Sequence, residues 1–476
     1  MTMPTVSTSI KPWPDYRAVW RWHFYAGLFC IPFVVLLSIT GSIYLFKPQI
    51  DAWLDRPYDH LVLTGPPAAA DARVKAALAA VPGSTLQAYE LPQAPDAATR
   101  VIVKHQGDQI RVYLHPETLQ VLHTVREEDR FTRRIFYLHG ELLSGNPGST
   151  VVELAASWAI IMILTGLYLW WPRQGRGLAG VLYPRLGGGG RLFWRDLHAV
   201  TGVWVSSLAL FMLFTGLPWA KQWGTYLKEV RRLTGTAVAR QDWPSGHPSA
   251  QSQPMAAGAD AGMATEHAEH AGHLTKSSDA QETGKRPPPD YAAIDRLVDV
   301  VAPLHLAPPV LISPPAKGAS DWTAKSDAQN RPLRVNFSLD GSTGAILKWN
   351  SFKDQHLIDQ IVAVGIAAHE GQLFGWPNQL LGVLTASGLI LLSVSSAIMW
   401  WRRRPQGVLG APEPLQSSRL SIGLGILILL FAVYLPLFGL SMIMIKLAER
   451  FIFNRIPAVR IWLGLHPAPS PQGEQT

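Results

Sequence analysis

Four histidines in repeated surroundings are the residues best suited to chemistry. His23 is followed by Gly27 and then Thr40-Gly41; His198 is followed by Gly202 and then Thr215-Gly216, at the same offsets of 4, 17 and 18. Arg21 and Arg195 stand just before these two histidines. His139-Gly140-Glu141 lies 31 residues before Trp170-Trp171-Pro172-Arg173, and His369-Glu370-Gly371 lies 31 residues before Trp400-Trp401-Arg402-Arg403. All four histidines fall at the margins of long apolar stretches, where a titratable group is costly and needs a reason. One reason is ligation of iron: neutral imidazole is a good axial ligand, and a haem fills an apolar slot between helices. Gly27 and Gly202 sit one turn beyond their histidines on the same helix face, where a missing side chain lets a flat macrocycle approach the backbone. The repeat pairs His23 with His198 for one haem b and His139 with His369 for a second. Their levels are separated by roughly the hydrocarbon thickness, ~30 Å, so the two would form an electron path through a membrane.

Positioning those residues requires membrane helices. The chain has 476 residues, 48% of them hydrophobic and only 16% charged, well below the roughly 25% charge of soluble domains. The 18 tryptophans suit anchoring at a lipid surface. Five stretches have the ~20 apolar residues a crossing needs: 24–46, 150–171, 198–220, 378–401 and 419–447. The first follows Lys11, Arg17 and Arg21 but is long and lacks a small-residue cleavage site, so it reads as an uncleaved anchor. Arg173, Arg176, Arg185, Arg191 and Arg195 follow the second stretch, and Arg402, Arg403, Arg404 and Arg419 follow the fourth. The positive-inside rule puts both loops and the N-terminus in the cytoplasm. Segments 50–130 and 225–360 then lie outside, which in a Gram-negative cell is the periplasm. A fifth crossing would leave the C-terminus outside, with Lys446, Arg450, Arg455 and Arg460 on the wrong side for the rule; the alternative is that this stretch is no simple crossing.

The matched spacings imply a duplication: span, outer module, span, used twice about an axis along the membrane normal. Outer module 1 (50–130) reads as a helix near 71–80 and strands near 85–91, 100–105, 110–114 and 119–124. Outer module 2 (225–355) reads as a helix near 291–301 and strands near 310–313, 334–339 and 345–349, with an intervening insertion at 240–289 rich in Ala, Gly, Ser, Pro and His. Segments 131–171 and 356–401 each hold a short outer helix, bearing His139 or His369, followed by span 2 or span 4; Gly145-Asn146-Pro147-Gly148 breaks the first outer helix from its span. Loops 172–197 and 402–418 and a tail at 448–476 complete the chain. The expected fold is therefore a mainly α membrane protein, an internally duplicated bundle of four core spans plus a fifth, with two small α+β outer modules.

Other features carry weaker chemistry. Glu141 and Glu370 beside the outer histidines could tune a haem or relay protons. His356 rivals His369 but has no repeat partner. The tryptophan pairs read as interface anchors. Met255, Met263, His247, His267, His270 and His273 in the insertion could hold a soft-to-borderline metal weakly. The single cysteine, Cys30, excludes internal disulfides, CxxC sites and covalent haem c. No Walker loop or GxGxxG fingerprint follows a strand, so any reductant comes from another protein or from lipid-soluble quinol. The formal charge of +8 suits cytoplasmic loops and anionic lipid rather than nucleic acid.

The phrases Phe131-Thr132-Arg133-Arg134, Leu138-His139-Gly140-Glu141-Leu142, Trp194-Arg195-Asp196-Leu197-His198 and His369-Glu370-Gly371-Gln372-Leu373-Phe374-Gly375-Trp376-Pro377-Asn378-Gln379 resemble the PepSY-associated transmembrane family across nearly the whole chain outside the insertion. The resemblance implies PepSY-like outer modules. It also implies an inner-membrane, iron-regulated reductase with two non-covalent b haems on His23, His198, His139 and His369, acting on a ferric siderophore or similar periplasmic ferric complex. Some relatives carry a fused flavodoxin-like reductase, which this sequence lacks; quinol or a cytoplasmic flavoprotein is the expected donor. Two other readings remain open: a non-enzymatic membrane protein whose PepSY modules regulate a periplasmic partner, and a metal or haem binding and delivery protein.

Overall fold

The computed structural model describes residues 16–172, 178–185, 187, 189–236, 291–316, 319–412 and 422–465. The His- and Met-containing insertion expected at 240–289 lies outside the described residues. The first half runs α1 (Tyr16–Leu45), α2 (Lys47–Asp55), α3 (Ala70–Ala80), β1 (Thr85–Glu90), β2 (Thr99–His105), β3 (Asp108–Leu114), β4 (Val121–Arg126), α4 (Phe131–Glu141) and α5 (Asn146–Trp170). The second runs α6 (Gly189–Gly216), α7 (Lys221–Leu233), α8 (Ala293–Val301), β5 (Val310–Ser313), β6 (Trp322–Ser326), β7 (Val335–Leu339), β8 (Ile346–Ser351), α9 (Leu357–His369) and α10 (Trp376–Arg403). Then come α11 (Ile422–Tyr434), α12 (Pro436–Phe451) and α13 (Pro457–Leu463).

Helices α1, α5, α6 and α10 are long and apolar enough to cross a membrane. Helix α1 packs on α5 and α10, and α6 packs on the same two, so α1 and α6 stand on opposite diagonals of a four-helix bundle. The outer helices α4 and α9 are separate from the spans that follow, as the glycine and proline signals require. Gly145 and Gly375 cap α5 and α10 at φ 64° and 66° with ψ near −140°, a conformation open essentially to glycine. Pro147 and Pro377 follow in the first turn, where a missing N–H costs nothing. At Gly148 the first turn of α5 abuts α4 so closely that a Cβ would lie 1.7 Å from the Glu141 carbonyl oxygen.

The two outer modules are not separate. They share one eight-stranded antiparallel sheet in the order β4-β3-β2-β1-β5-β6-β7-β8. The seam is the pairing of Tyr89 with Ile312 and Glu90 with Leu311. Each module supplies four strands, one more than the sequence reading gave the second: β6 was not anticipated. It is short, but Trp322, Ala324 and Ser326 are buried in alternation, as a strand with one covered face requires. Helices α3 and α8 contribute Val74, Ala77, Ile294, Leu297 and Val301 to a core shared with Val101, Val103, Ile312 and Phe337.

A polar collar ties this sheet to the bundle. Arg100 on β2 pairs with Asp59 at 2.9 Å and Asp55 at 3.6 Å. Arg111 on β3 binds Glu90 and Glu127. The Thr132 hydroxyl at the start of α4 donates to Asp51 on α2 at 2.7 Å. In the second half Arg231 on α7 forms a bidentate pair with Asp359 on α9 at 2.7 and 2.8 Å, both groups buried. These contacts set the positions of the two helices that carry the outer histidines.

The fifth stretch differs from a simple crossing. Helices α11 and α12 are bent by 120° at Leu435-Pro436. Leu435 and Phe438 pack with Ile160, Leu217 and Trp223, and the Trp223 indole donates to the Tyr434 carbonyl at 2.9 Å. The chain then returns: the Tyr25 hydroxyl donates to the Leu463 carbonyl, and the Leu409 amide to the Trp462 carbonyl. Residues up to 465 therefore end at the bundle face that carries Arg402, Arg403 and Arg404, not at the sheet face. The basic residues of the tail join the basic loops, and the conflict with the charge rule disappears.

Candidate functional site

Each histidine's Nδ1 is held by the next helix. His23 on α1 faces α5, with Nδ1 3.0 Å from the Met162 carbonyl oxygen and 3.2 Å from the Thr165 hydroxyl. His198 on α6 faces α10, 3.2 Å from both the Leu392 carbonyl and the Ser395 hydroxyl. His139 on α4 meets the Thr40 hydroxyl of α1 at 2.9 Å, and His369 on α9 meets the Thr215 hydroxyl of α6 at 3.1 Å. Each hydroxyl already donates to a carbonyl three or four residues back on its own helix. It must therefore accept from the ring. That assigns the proton to Nδ1 and leaves Nε2 of every ring as the free base, the arrangement in which a second hydrogen bond orients a ligating imidazole.

The rings meet in the predicted pairs. His23 and His198 have centroids 6.4 Å apart at an interplanar angle of 77°. His139 and His369 repeat both values, 6.4 Å and 77°. Imidazole nitrogen binds a first-row metal at about 2.0–2.1 Å, so two rings on opposite sides of one metal have centroids ~6.3 Å apart. Among the described residues no cluster of three or more His, Cys, Asp or Glu side chains stands ready to hold a metal. Two imidazoles without a third protein donor suit a metal whose remaining ligands come from a macrocycle. Along α1, His23 and Thr40 are 17 residues apart, as are His198 and Thr215 along α6; at 1.5 Å per residue the two levels differ by ~25 Å.

Sequence reasoning recognised Thr40-Gly41 and Thr215-Gly216 as repeat marks and gave them no role. They are the cradles of the outer rings. A Cβ at Gly41 would lie 3.1 Å from His139 Cε1, and one at Gly216 3.4 Å from His369 Cε1. Thr165-Gly166 does the same for His23, at 3.0 Å. Ser395-Ser396 takes the equivalent place opposite His198. Thr-Gly occurs in three of the four spans, and that recurrence was the available signal. Gly27 and Gly202 are where the sequence put them, on the histidine faces of α1 and α6. There, Cβ atoms would meet Met162 Sδ at 3.8 Å and Leu392 Cδ2 at 3.6 Å, ordinary contacts with the residues whose carbonyls hold the rings.

The rival His356 is exposed and caps α9 by accepting the Ile358 amide. Glu141 and Glu370 are both buried beside the outer pair. The tryptophan pairs divide their work. Trp170 donates to the Val181 carbonyl at 3.0 Å and Trp400 to the Leu409 carbonyl at 2.9 Å, fastening the loops at the basic face. Trp171 and Trp401 remain exposed, as interface anchors should. Aromatic and cationic side chains gather near the outer pair: Phe136 packs on Tyr44 and Trp219, with Arg133 over Phe136 and Arg331 over Trp219.

In a comparison with known families, the model described as PepSY-associated TM region matches residues 20–403. No curated protein matches the chain.

Proposed function

The chain belongs to the family of the PepSY-associated TM region, and from that premise we propose a dihaem membrane oxidoreductase. In this reading it passes single electrons from the basic face of the bundle to a ferric complex at the sheet face. The protein is a multi-pass membrane protein in contact with lipid. We place it in a bacterial inner membrane, with the basic loops in the cytoplasm and the sheet in the periplasm.

The observation that carries the proposal is the doubled geometry of the histidine pairs, 6.4 Å and 77° at both levels, with every Nδ1 committed to a neighbouring helix. His23 and His198 would hold one b haem, and His139 and His369 the other; bound there, the pair supplies reversible one-electron storage at two depths. The chain's own contribution is orientation and insulation. Thr and Ser hydroxyls fix the tautomer, glycines admit the rings, and the bundle keeps water away. The substrate we assign is a ferric siderophore or similar complex: one electron converts Fe(III) to Fe(II), which hard oxygen donors hold less tightly. The electron comes from quinol or a cytoplasmic flavoprotein.

The test is the absorption spectrum of the full chain in detergent. Low-spin b-type bands are expected, half of them lost in His23→Ala/His198→Ala and the other half in His139→Ala/His369→Ala. A folded, colourless protein after expression with excess haem would overturn the assignment. Fe(II) release from a ferric hydroxamate by the reduced protein then tests the substrate.

A further inference from the structure

A second site lies in the sheet assembly, away from the histidines. Where the two modules meet, a cavity of about 270 Å³ is lined by Pro67, Arg73, Tyr89, Pro95, Pro116 and Val298. Arg73 comes from α3, Tyr89 from β1 and Val298 from α8, so both modules build it. Arg73 is only 8% exposed. Its Nη1 donates to the Tyr89 hydroxyl at 3.0 Å, and its Nε is buried with no acceptor. No described carboxylate forms an ion pair with it. Three other buried guanidiniums have carboxylate partners: Arg100 meets Asp55 and Asp59, Arg111 meets Glu90 and Glu127, and Arg231 meets Asp359. Asp295 lies near the same hydroxyl, but a buried guanidinium with no carboxylate in direct contact is costly, and here it borders an open space.

We propose that this cavity binds a small carboxylate, with Arg73 gripping the anion and the prolines and Val298 covering its apolar body. The planar fork of a guanidinium matches a carboxylate through two parallel N–H donors. The single cation and apolar walls favour a monoanion over phosphate. The volume lies at the lower end of ligand pockets, which suits a free acid of a few carbons or the C-terminal residue of a peptide.

The probes are propionate, benzoate, the peptide Ala-Ala-Pro with a free carboxylate, and its amide, titrated calorimetrically into the full chain in detergent. The free acids are expected to bind and the amide to fail. Tighter binding of the peptide than of propionate and benzoate identifies a chain terminus as the ligand, and the reverse order a free acid. Arg73→Met is expected to weaken binding at least about tenfold, the scale of one charge-assisted contact. Ligand-free Arg73→Met should unfold no earlier than the wild type, because it removes an unpaired buried charge. Val298→Phe fills the cavity, leaves Arg73 in place and should abolish binding as well. The proposal fails if no probe binds, if binding survives both substitutions, or if Arg73→Met is markedly less heat-stable and binding is otherwise unchanged.

Discussion

At the scale of single residues, the hydroxyls opposite the histidines are the most informative targets. The Nδ1–H of His139 lies 2.9 Å from Thr40 Oγ1, and that of His369 lies 3.1 Å from Thr215 Oγ1. Replacing Thr by Val keeps the shape and removes the hydroxyl acceptor, leaving only the Leu37 or Met212 carbonyl near the ring. Changes in this outer layer typically cost about 10–100-fold in metal affinity. Thr40→Val/Thr215→Val should therefore weaken haem retention at the outer pair about tenfold and raise its midpoint potential, because a ring that donates a weaker hydrogen bond is a poorer electron donor. The inner pair should be unchanged. Redox potentiometry reads both centres at once; equal shifts at the two levels, or none, would refute the assignment. Gly166→Ala is the converse case. Its new Cβ would sit 3.0 Å from His23 Cε1, so it should disturb the inner bands alone. The histidines were legible in the sequence because their offsets repeat. Their partners were not, because a threonine inside a span looks like any other until the facing helix is known.

At the scale of elements, the question is what holds α4 and α9 in place. Helix α9 is tied by the buried pair Arg231–Asp359. Removing one partner of a buried ion pair leaves a stranded charge and costs about 3–5 kcal/mol. Asp359→Asn should accelerate amide exchange in 357–369 at least about a hundredfold, whereas Lys446→Ala, which breaks an exposed pair with Glu449, should change little. On the first side, Glu127 sits in the collar. Burial alone would raise its carboxyl, but Arg111 and Arg130 outweigh that and hold it below the ordinary value near 4.5. A carboxyl depressed on folding stabilises above its unfolded value, and that stabilisation is lost as pH falls through the folded one. The sheet should accordingly loosen below about pH 4.5, read as faster exchange in β3 and β4, and Glu127→Gln should flatten the dependence. A dependence that persists in Glu127→Gln would place the sensitivity elsewhere in the collar. The four long spans were readable because about 20 apolar residues admit few other solutions. Strand β6 was not, since five residues between polar neighbours declare themselves only once β5 and β7 are beside them.

At the scale of the whole molecule, two joins escaped the sequence, both of them long-range. The modules fuse where Tyr89 and Glu90 of β1 pair with Ile312 and Leu311 of β5, and where the Leu91 amide donates to the Val310 carbonyl, contacts that no local pattern announces. The fifth apolar stretch is long enough to cross, and hydropathy cannot see that it turns back at Leu435-Pro436. The charge pattern did carry the clue: a basic tail on the outer side would have broken the rule that the other loops obey. The folded chain removes the contradiction by returning α13 to Tyr25 and Leu409. Labelling checks this directly. Cys30, the sole cysteine, is buried, so single cysteines can be introduced at exposed positions against a silent background. Asn454→Cys, after the hairpin, should react with a membrane-impermeant maleimide from the same side as Arg404→Cys. Thr343→Cys, in the turn between β7 and β8, should react from the opposite side. Were Asn454→Cys to label with Thr343→Cys instead, the hairpin would have to be a true fifth crossing, and the basic tail would lie on the sheet face.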